Sequence, residues 1–421
     1  MKINKNYLKI QFKLNIIFSK NLKDKLRIGI YTYCIKNGGR ARITSILLNY
    51  FHKIKIFKVY LFTKTNKENN EYYIPESIKR TIIRHNLIKI ILKYKIDILI
   101  YELTNYYDIK ALNKFKDAKI IFYQHSSFFY HFYSNFTLFL KIYKEYQNSK
   151  YVISVIPLES NYLFKKWNIS SILMNNFITY EYNSIIPSDL TSKTVLMIGR
   201  AKNKYKRFDL GILAMEYIIQ EINKTKMKII SDINGTYILQ KLIFNLNLEK
   251  SIEFIGYTLI PEIFFKNSSL HIFPTISESF GLVLSETKIF GIPNILLGLD
   301  YVSLSKGGNI IIYDDSPELI AKESIKILNN KSYRKKLGKK AKQSMKKFNN
   351  QLLLKKWIKL ILFIYNNEIY YRSLRENEKE MEENIAKIIL ANQIKLLKKR
   401  IMNFNDMKIN DFNNFNNFYN F

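Results

Sequence analysis

The chain has 421 residues, 47% of them hydrophobic, and 68 Lys and Arg against 34 Asp and Glu leave a formal net charge of +34. That length supports two or three domains with real cores, and no apolar run approaches the roughly 20 residues that a membrane-spanning helix needs. A single cysteine, Cys34, rules out an internal disulfide and fits a reducing compartment.

The charge has two readings. One is a polyanionic partner, either nucleic acid or an anionic membrane surface. The other is composition: Ile, Lys, Asn, Tyr and Phe are abundant together, as an AT-rich genome gives, and Lys rises everywhere. Lysine outnumbers arginine and is dispersed, whereas nucleic-acid readers concentrate a patch, so no nucleic acid is expected. The basic start, Met1 to Lys5, runs into interrupted sequence and does not read as a signal peptide; the expectation is a cytoplasmic protein. The five histidines are scattered, and there is neither a Cys/His cluster of metal-binding spacing nor an Asp-x-Asp triplet.

Residues 1–25 read as a basic, amphipathic arm. Leu26 to Thr32 is the first strand, followed by the loop Lys36-Asn37-Gly38-Gly39-Arg40 and a helix from Ala41. Strand, glycine turn and helix open a Rossmann-like unit; taken alone, the two glycines equally suit a tight turn at positive φ. Val59 to Phe62, Ile96 to Ile100 and Lys119 to Tyr123 are further strands. The last runs into Gln124-His125-Ser126-Ser127. A histidine at a strand end is commonly a structural hydrogen-bonder, but the C-terminal ends of parallel strands are also where such sheets place ligands. The aromatic run from Phe128 to Phe139 leads into Lys141 and Lys144, which suits a core or an interfacial helix on a membrane. Tyr151 to Val155 is a strand, Ser160 is placed to cap a helix over 161–167, and residues 179–192, polar and holding Pro187, read as a linker.

In the second half, Thr194 to Ile198 is a strand ending in Gly199-Arg200, a lysine-rich loop and Lys206-Arg207. Arg200 and Lys206 bracket that loop, as a phosphate clamp or a solvated basic turn would. Lys228 to Ile230, Ile252 to Gly256, Leu270 to Phe273, Ile295 to Leu297 and Asn309 to Ile312 extend a second parallel sheet. After Phe273, Pro274 ends the strand, a loop carries Glu278, Ser279, Phe280 and Gly281, and a helix bears Glu286 before stopping at Gly291 with Pro293 beyond. Amides at a helix start attract phosphate. Pro317 opens the next helix, Lys331 to Phe348 is a basic helix, and 350–372 is apolar on one face. Residues 374–400 mix Glu and Lys, and the Asn/Phe-rich 402–421 is of low complexity.

Glu278-Ser279-Phe280-Gly281 with Glu286 eight residues past the first Glu, then Gly291-Ile292-Pro293, resembles the signature of retaining nucleotide-sugar glycosyltransferases of the GT-B fold, family 4. Gly199-Arg200 with Lys206 resembles the diphosphate-binding pair of that family, and Arg207 departs from the Gly that many members carry. The likeness covers 26–370, with its specific motifs mainly in 199–293. It implies an α/β protein with two Rossmann-like domains facing across a cleft: an acceptor domain over 1–180, a donor domain over 181–349, a helix over 350–373 crossing back, and a tail over 374–421.

The same resemblance implies transfer of a sugar from a UDP- or GDP-linked donor, with retention and without metal or other cofactor, to a lipid-linked or polysaccharide acceptor. The setting would be cell-surface polysaccharide synthesis, cytoplasmic and peripheral on the membrane. The implied roles are Glu278 and His125 at the reacting sugar, Glu286 on the ribose, and Gly256 with Tyr257 near the base. Arg200, Lys206, Ser279, Phe280, Gly281, Gly38 and Gly39 are implied at the diphosphate. Two other readings stay open: a GT-B sugar-nucleotide epimerase or phosphorylase, and a non-enzymatic polyanion-binding protein.

Overall fold

A computed structural model describes residues 24–36, 38–67, 71–127, 136–258, 260–299 and 302–366. Most of the expected arm, the aromatic run over 128–135, the charged helix over 374–400 and the Asn/Phe-rich tail lie outside the described residues. The described residues divide into two compact units, 24–177 with 349–366, and 178–348.

Unit 1 holds seven parallel strands: β1 (Leu26–Thr32), β2 (Phe57–Thr63), β3 (Lys79–Ile82), β4 (Ile98–Tyr101), β5 (Lys119–Gln124), β6 (Tyr151–Ser154) and β7 (Ser171–Leu173). Their order is β3-β2-β1-β4-β5-β6-β7. β4 and β6 are buried throughout, and β1 and β5 at all but one position each, as strands covered by helices on both faces must be. Helices α1 (Gly39–His52), α2 (Leu87–Lys93), α3 (Tyr106–Lys114), α4 (Phe136–Tyr146) and α5 (Pro157–Trp167) connect them. Two expectations change here. β3 has no apolar run to announce it: it is an edge strand, Lys-Arg-Thr-Ile, with no fully buried residue. α5 begins four residues earlier than Ser160 would place it. Pro157 occupies the first turn, where its missing amide costs nothing. Ser160 is therefore inside the helix, 2.9 Å from the Ser171 hydroxyl.

Unit 2 repeats the plan with six parallel strands: β8 (Thr194–Ile198), β9 (Lys226–Ile230), β10 (Ile252–Phe254), β11 (Leu270–Phe273), β12 (Asn294–Leu297) and β13 (Asn309–Ile312). The order is β10-β9-β8-β11-β12-β13. Its helices are α6 (Phe208–Glu221), α7 (Tyr237–Asn245), α8 (Glu262–Lys266), α9 (Leu282–Ile289), α10 (Pro317–Asn329) and α11 (Lys331–Ser344). Val195, Met197, Ile229, Leu270, Ile272 and Ile295 anchor one apolar core.

The stretch 179–192 is no free linker. The Ser188 hydroxyl donates to the Ser268 carbonyl at 2.8 Å, the Tyr180 ring packs edge-on to Phe290 at 5.5 Å, and Leu190 is buried. The last described helix, α12 (Asn350–Tyr365), returns to unit 1. Asn349 caps it, accepting from the Gln351 and Leu352 amides. Trp357 on α12 is fully buried, with the rings of Tyr123 at 5.2 Å and Phe51 at 6.0 Å. Among the described residues, no helix is long and apolar enough to cross a membrane.

Candidate functional site

In a doubly wound sheet the ligand crevice lies at the C-terminal ends of the strands where the order reverses. In unit 2 that point falls between β8 and β11. β8 ends in Gly199 and Arg200, and Arg200 is exposed. The chain then makes a single 3₁₀ turn over Lys204–Lys206, capped by Asn203, whose side chain accepts from the Tyr205 amide at 3.0 Å. The loop after β11 is sewn to this turn: the Thr275 hydroxyl and the Ile276 amide both donate to the Tyr205 carbonyl at 3.0 Å. The stitching brings Lys206 to Glu278. The ammonium donates to Oε2 at 2.7 Å and lies 5.4 Å from the centroid of the Phe273 ring. The other oxygen of Glu278 accepts from the Ser279 amide at 3.2 Å. Two residues with separate implied roles are thus partners here.

Phe280 buries its ring against Phe348 at 5.6 Å, and the residue is 1% exposed. Gly281 caps α9 at φ 80°, a conformation that costs a residue with a Cβ about 1–2 kcal/mol. The first-turn amides of α9 have no acceptor inside the helix and carry its positive end. Glu286 lies on α9, 1% exposed, and its Oε1 accepts from the Thr179 hydroxyl at 2.7 Å. Thr179 belongs to the stretch that reads as a linker, and nothing in that polar run marks it.

Arg207 sits at φ 46°, in the left-handed region. That accounts for glycine in the resembling pattern. Here the strained backbone comes with a locked side chain: the guanidinium binds Asp209 at 3.0 Å and Asp315 at 2.8 Å. Burial works against its charge, but those two carboxylates hold its pKa above the usual arginine value. Gly256 and Tyr257 follow β10. Gly256 faces Ile233 of the neighbouring loop, and Tyr257 is exposed. Among the described residues, no three His, Cys, Asp or Glu side chains gather as a metal site.

Unit 1 has its own reversal point, between β1 and β4. Gly38 caps α1 at φ 95°, and Gly39 is the first helical residue. Inside α1, the Thr44 hydroxyl donates to Glu102 Oε2 at 2.6 Å. Glu102 directly follows β4 and is 2% exposed. Its Oε1 lies 3.3 Å from His125 Nε2, at the end of β5. That contact falls short of hydrogen-bond geometry, so Oε1 and both ring nitrogens are buried without a hydrogen-bond partner among the described residues. The structure therefore brings His125 and the Gly-Gly helix together through Glu102. The sequence reading missed Glu102, although an acid at the end of a buried parallel strand is a usable signal.

Two α/β units of shared strand order define the GT-B fold, and the solved structures agree. The chain matches a sucrose-phosphate synthase from Thermosynechococcus elongatus with TM-score 0.69 and 14% identity, over 82% of this chain and 100% of that one. It matches an Anabaena protein, HepE, solved with UDP and glucose, with TM-score 0.66 and 13% identity over 80% and 99%. Staphylococcus aureus TarM, solved with Fondaparinux, alpha-GlcNAc-glycerol and UDP, gives TM-score 0.65 and 13% identity over 81% and 100%.

Residues 181–344 match the family model of glycosyl transferases group 1. An uncharacterized glycosyltransferase of Haemophilus influenzae is 22% identical over 192 residues, 44% of this chain and 54% of that protein. A poly(ribitol-phosphate) alpha-N-acetylglucosaminyltransferase of Staphylococcus aureus is 25% identical over 161 residues, 37% of this chain and 32% of that protein. The chain thus spans about half the length of the first relative and about a third of the second.

Proposed function

We propose that this protein is a glycosyltransferase. It moves a sugar from a nucleoside diphosphate sugar to a hydroxyl of a glycan or lipid-linked acceptor, with retention of configuration and with cationic residues in place of a metal. The observation that carries the reading is the Lys206–Glu278 pair beside the start of α9, inside the region that matches the group 1 family model. A leaving diphosphate gains negative charge as the sugar departs. Lys206, Arg200 and the first-turn amides of α9 offset that charge without proton transfer. Ser279, Phe280 and Gly281 supply the backbone around it, and the amides after Gly38 and Gly39 add a second positive helix end. Glu286 takes the ribose hydroxyls, and the loop of Gly256 and Tyr257 borders the base. Glu278 takes hydroxyls of the donor sugar once Lys206 turns to phosphate, and His125 contacts the reacting sugar. UDP is the first nucleotide to try, because two of the similar structures were solved with it.

Calorimetry on the full chain with UDP, GDP and ADP tests the donor assignment. Lys206→Ala should weaken binding of the preferred nucleotide by about 1.5–3 kcal/mol, the range for a hydrogen bond to a charged group. The lower half is expected, because Lys206 must exchange Glu278 for phosphate. An unchanged affinity removes Lys206 from the clamp. Stabilisation by DNA or RNA alone, with no response to any nucleotide sugar, would sink the assignment.

A further inference from the structure

We propose that Glu102 is a positioning residue for His125, and that it fixes Nδ1 of the imidazole as the atom that bonds a substrate hydroxyl. The inference rests on the reading of this chain as a sugar transferase.

The argument starts with the backbone. The Glu102 amide donates to the Tyr31 carbonyl at 3.0 Å, which extends the β1–β4 pairing by one residue. The side chain therefore springs from a fixed point. One carboxylate oxygen is taken by Thr44 at 2.6 Å. The other is buried without a hydrogen-bond partner among the described residues, with His125 Nε2 at 3.3 Å. A buried carboxylate oxygen left unbonded is costly, so a small adjustment that closes this gap is favoured.

His125 has little freedom to do otherwise. Its ring centroid lies 3.9 Å from that of Tyr123. Tyr123 is held in turn by its hydroxyl, which donates to Asn176 Oδ1 at 2.7 Å, and by the Trp357 ring. With Nε2 turned to the carboxylate, Nε2 carries a proton and Nδ1 remains; Nδ1 is itself buried, so a substrate hydroxyl must displace what covers it. Neutral, Nδ1 accepts from a hydroxyl; charged, it donates to one. Both states suit a sugar or polyol. Thr44 lies one turn into α1, so the same carboxylate also ties His125 to the helix that Gly38 caps.

The test uses the full chain, with a nucleoside diphosphate glucose or N-acetylglucosamine built on whichever of UDP, GDP and ADP binds as donor, and water as second substrate. Glu102→Gln keeps size and an acceptor for Thr44. It should lower kcat about 10- to 100-fold, the equivalent of one charge-assisted hydrogen bond, with donor KM changed less than about 3-fold. The double variant Glu102→Gln/His125→Ala should be no slower than His125→Ala alone, because the two act as one unit. A carboxylate that only supports the fold would give additive losses, and that result overturns the proposal. Nitrogen-15 NMR of the wild-type imidazole provides a readout independent of turnover. His125 should show Nε2 protonated in the wild type and mixed tautomers in Glu102→Gln. Identical spectra in the two proteins would also overturn the proposal. If no nucleotide sugar supports turnover, the transferase reading fails, and the NMR comparison alone decides whether Glu102 sets the ring.

Discussion

Lys288 lies two residues beyond Glu286 on α9 and is fully buried. Its Nζ donates to the carbonyls of Leu304 and Lys306, each at 2.6 Å. Burial, with Lys347 nearby, pushes its pKa down to about 7. A neutral amine has two N–H donors, and two carbonyls are present, so the uncharged form is fully satisfied. The sign of the pH effect follows. Between about 7 and the ordinary value of 10.5, the unfolded chain binds the proton and the folded chain does not. Stability from this residue therefore rises with pH across that window, by at most about 1.4 kcal/mol per pH unit. Lys288→Met keeps the length and removes the titration. Thermal melts of both proteins at pH 7, 8 and 9 should show the wild type gaining on the variant at each step; a constant gap would show that Lys288 does not titrate there. Of this, the sequence discloses only a lysine at a helical position. Motif residues such as Glu278 and Glu286 are legible because their spacing is local. Partners such as Thr179, Glu102 and the carbonyls under Lys288 are not, because each comes from a distant segment that carries no pattern of its own.

At the scale of elements, the packing of α11 against the end of α9 depends on one small residue. Gly338, in the middle of α11, approaches Gly291 so closely that a Cβ would collide with the Gly291 carbonyl and press on Leu190. Gly338→Ala should gain about 1 kcal/mol of helix propensity and lose more than that to the backbone collision, since overpacking costs about 1–3 kcal/mol and a carbonyl cannot rotate away as a side chain can. The expected net is destabilisation of unit 2, read as a lower circular-dichroism midpoint. Nucleotide affinity should fall with it, because α9 carries Glu286. A rise in midpoint would mean that α11 shifts freely. Most strands here are legible as apolar runs with turn residues between them. β3 is not, since an edge strand of Lys, Arg, Thr and Ile needs no apolar face. The start of α5 is misread from Ser160 because a proline in the first turn competes with a capping hydroxyl as a helix-start signal.

For the whole molecule, alternation of strand and helix is enough to read two parallel α/β units, whereas strand order depends on packing between distant segments, and the return of α12 to unit 1 is implied by the family resemblance and not by any local pattern. α12 follows unit 2 in sequence but belongs to unit 1, where Trp357 is fully buried beside Tyr123 and Phe51. The chain has two tryptophans, Trp167 and Trp357, and both lie in unit 1. Tryptophan fluorescence therefore follows the unfolding of unit 1 alone, while far-ultraviolet circular dichroism follows both units. Trp357→Ala leaves a cavity in that core and should cost about 3–5 kcal/mol. Trp357→Phe should cost much less: a large ring remains, and the indole N–H that it removes is buried without an acceptor among the described residues. Urea titrations read by the remaining Trp167 should show the midpoint falling strongly for Trp357→Ala and weakly for Trp357→Phe. The nucleotide affinity of folded protein should fall less than stability does in both, because the proposed contacts Lys206 and Glu286 lie in unit 2 and unit 1 adds to the diphosphate only through the amides after Gly38 and Gly39. Equal midpoints for the two variants would mean that α12 packs more loosely than Trp357's burial requires, and its assignment to the core of unit 1 would fall.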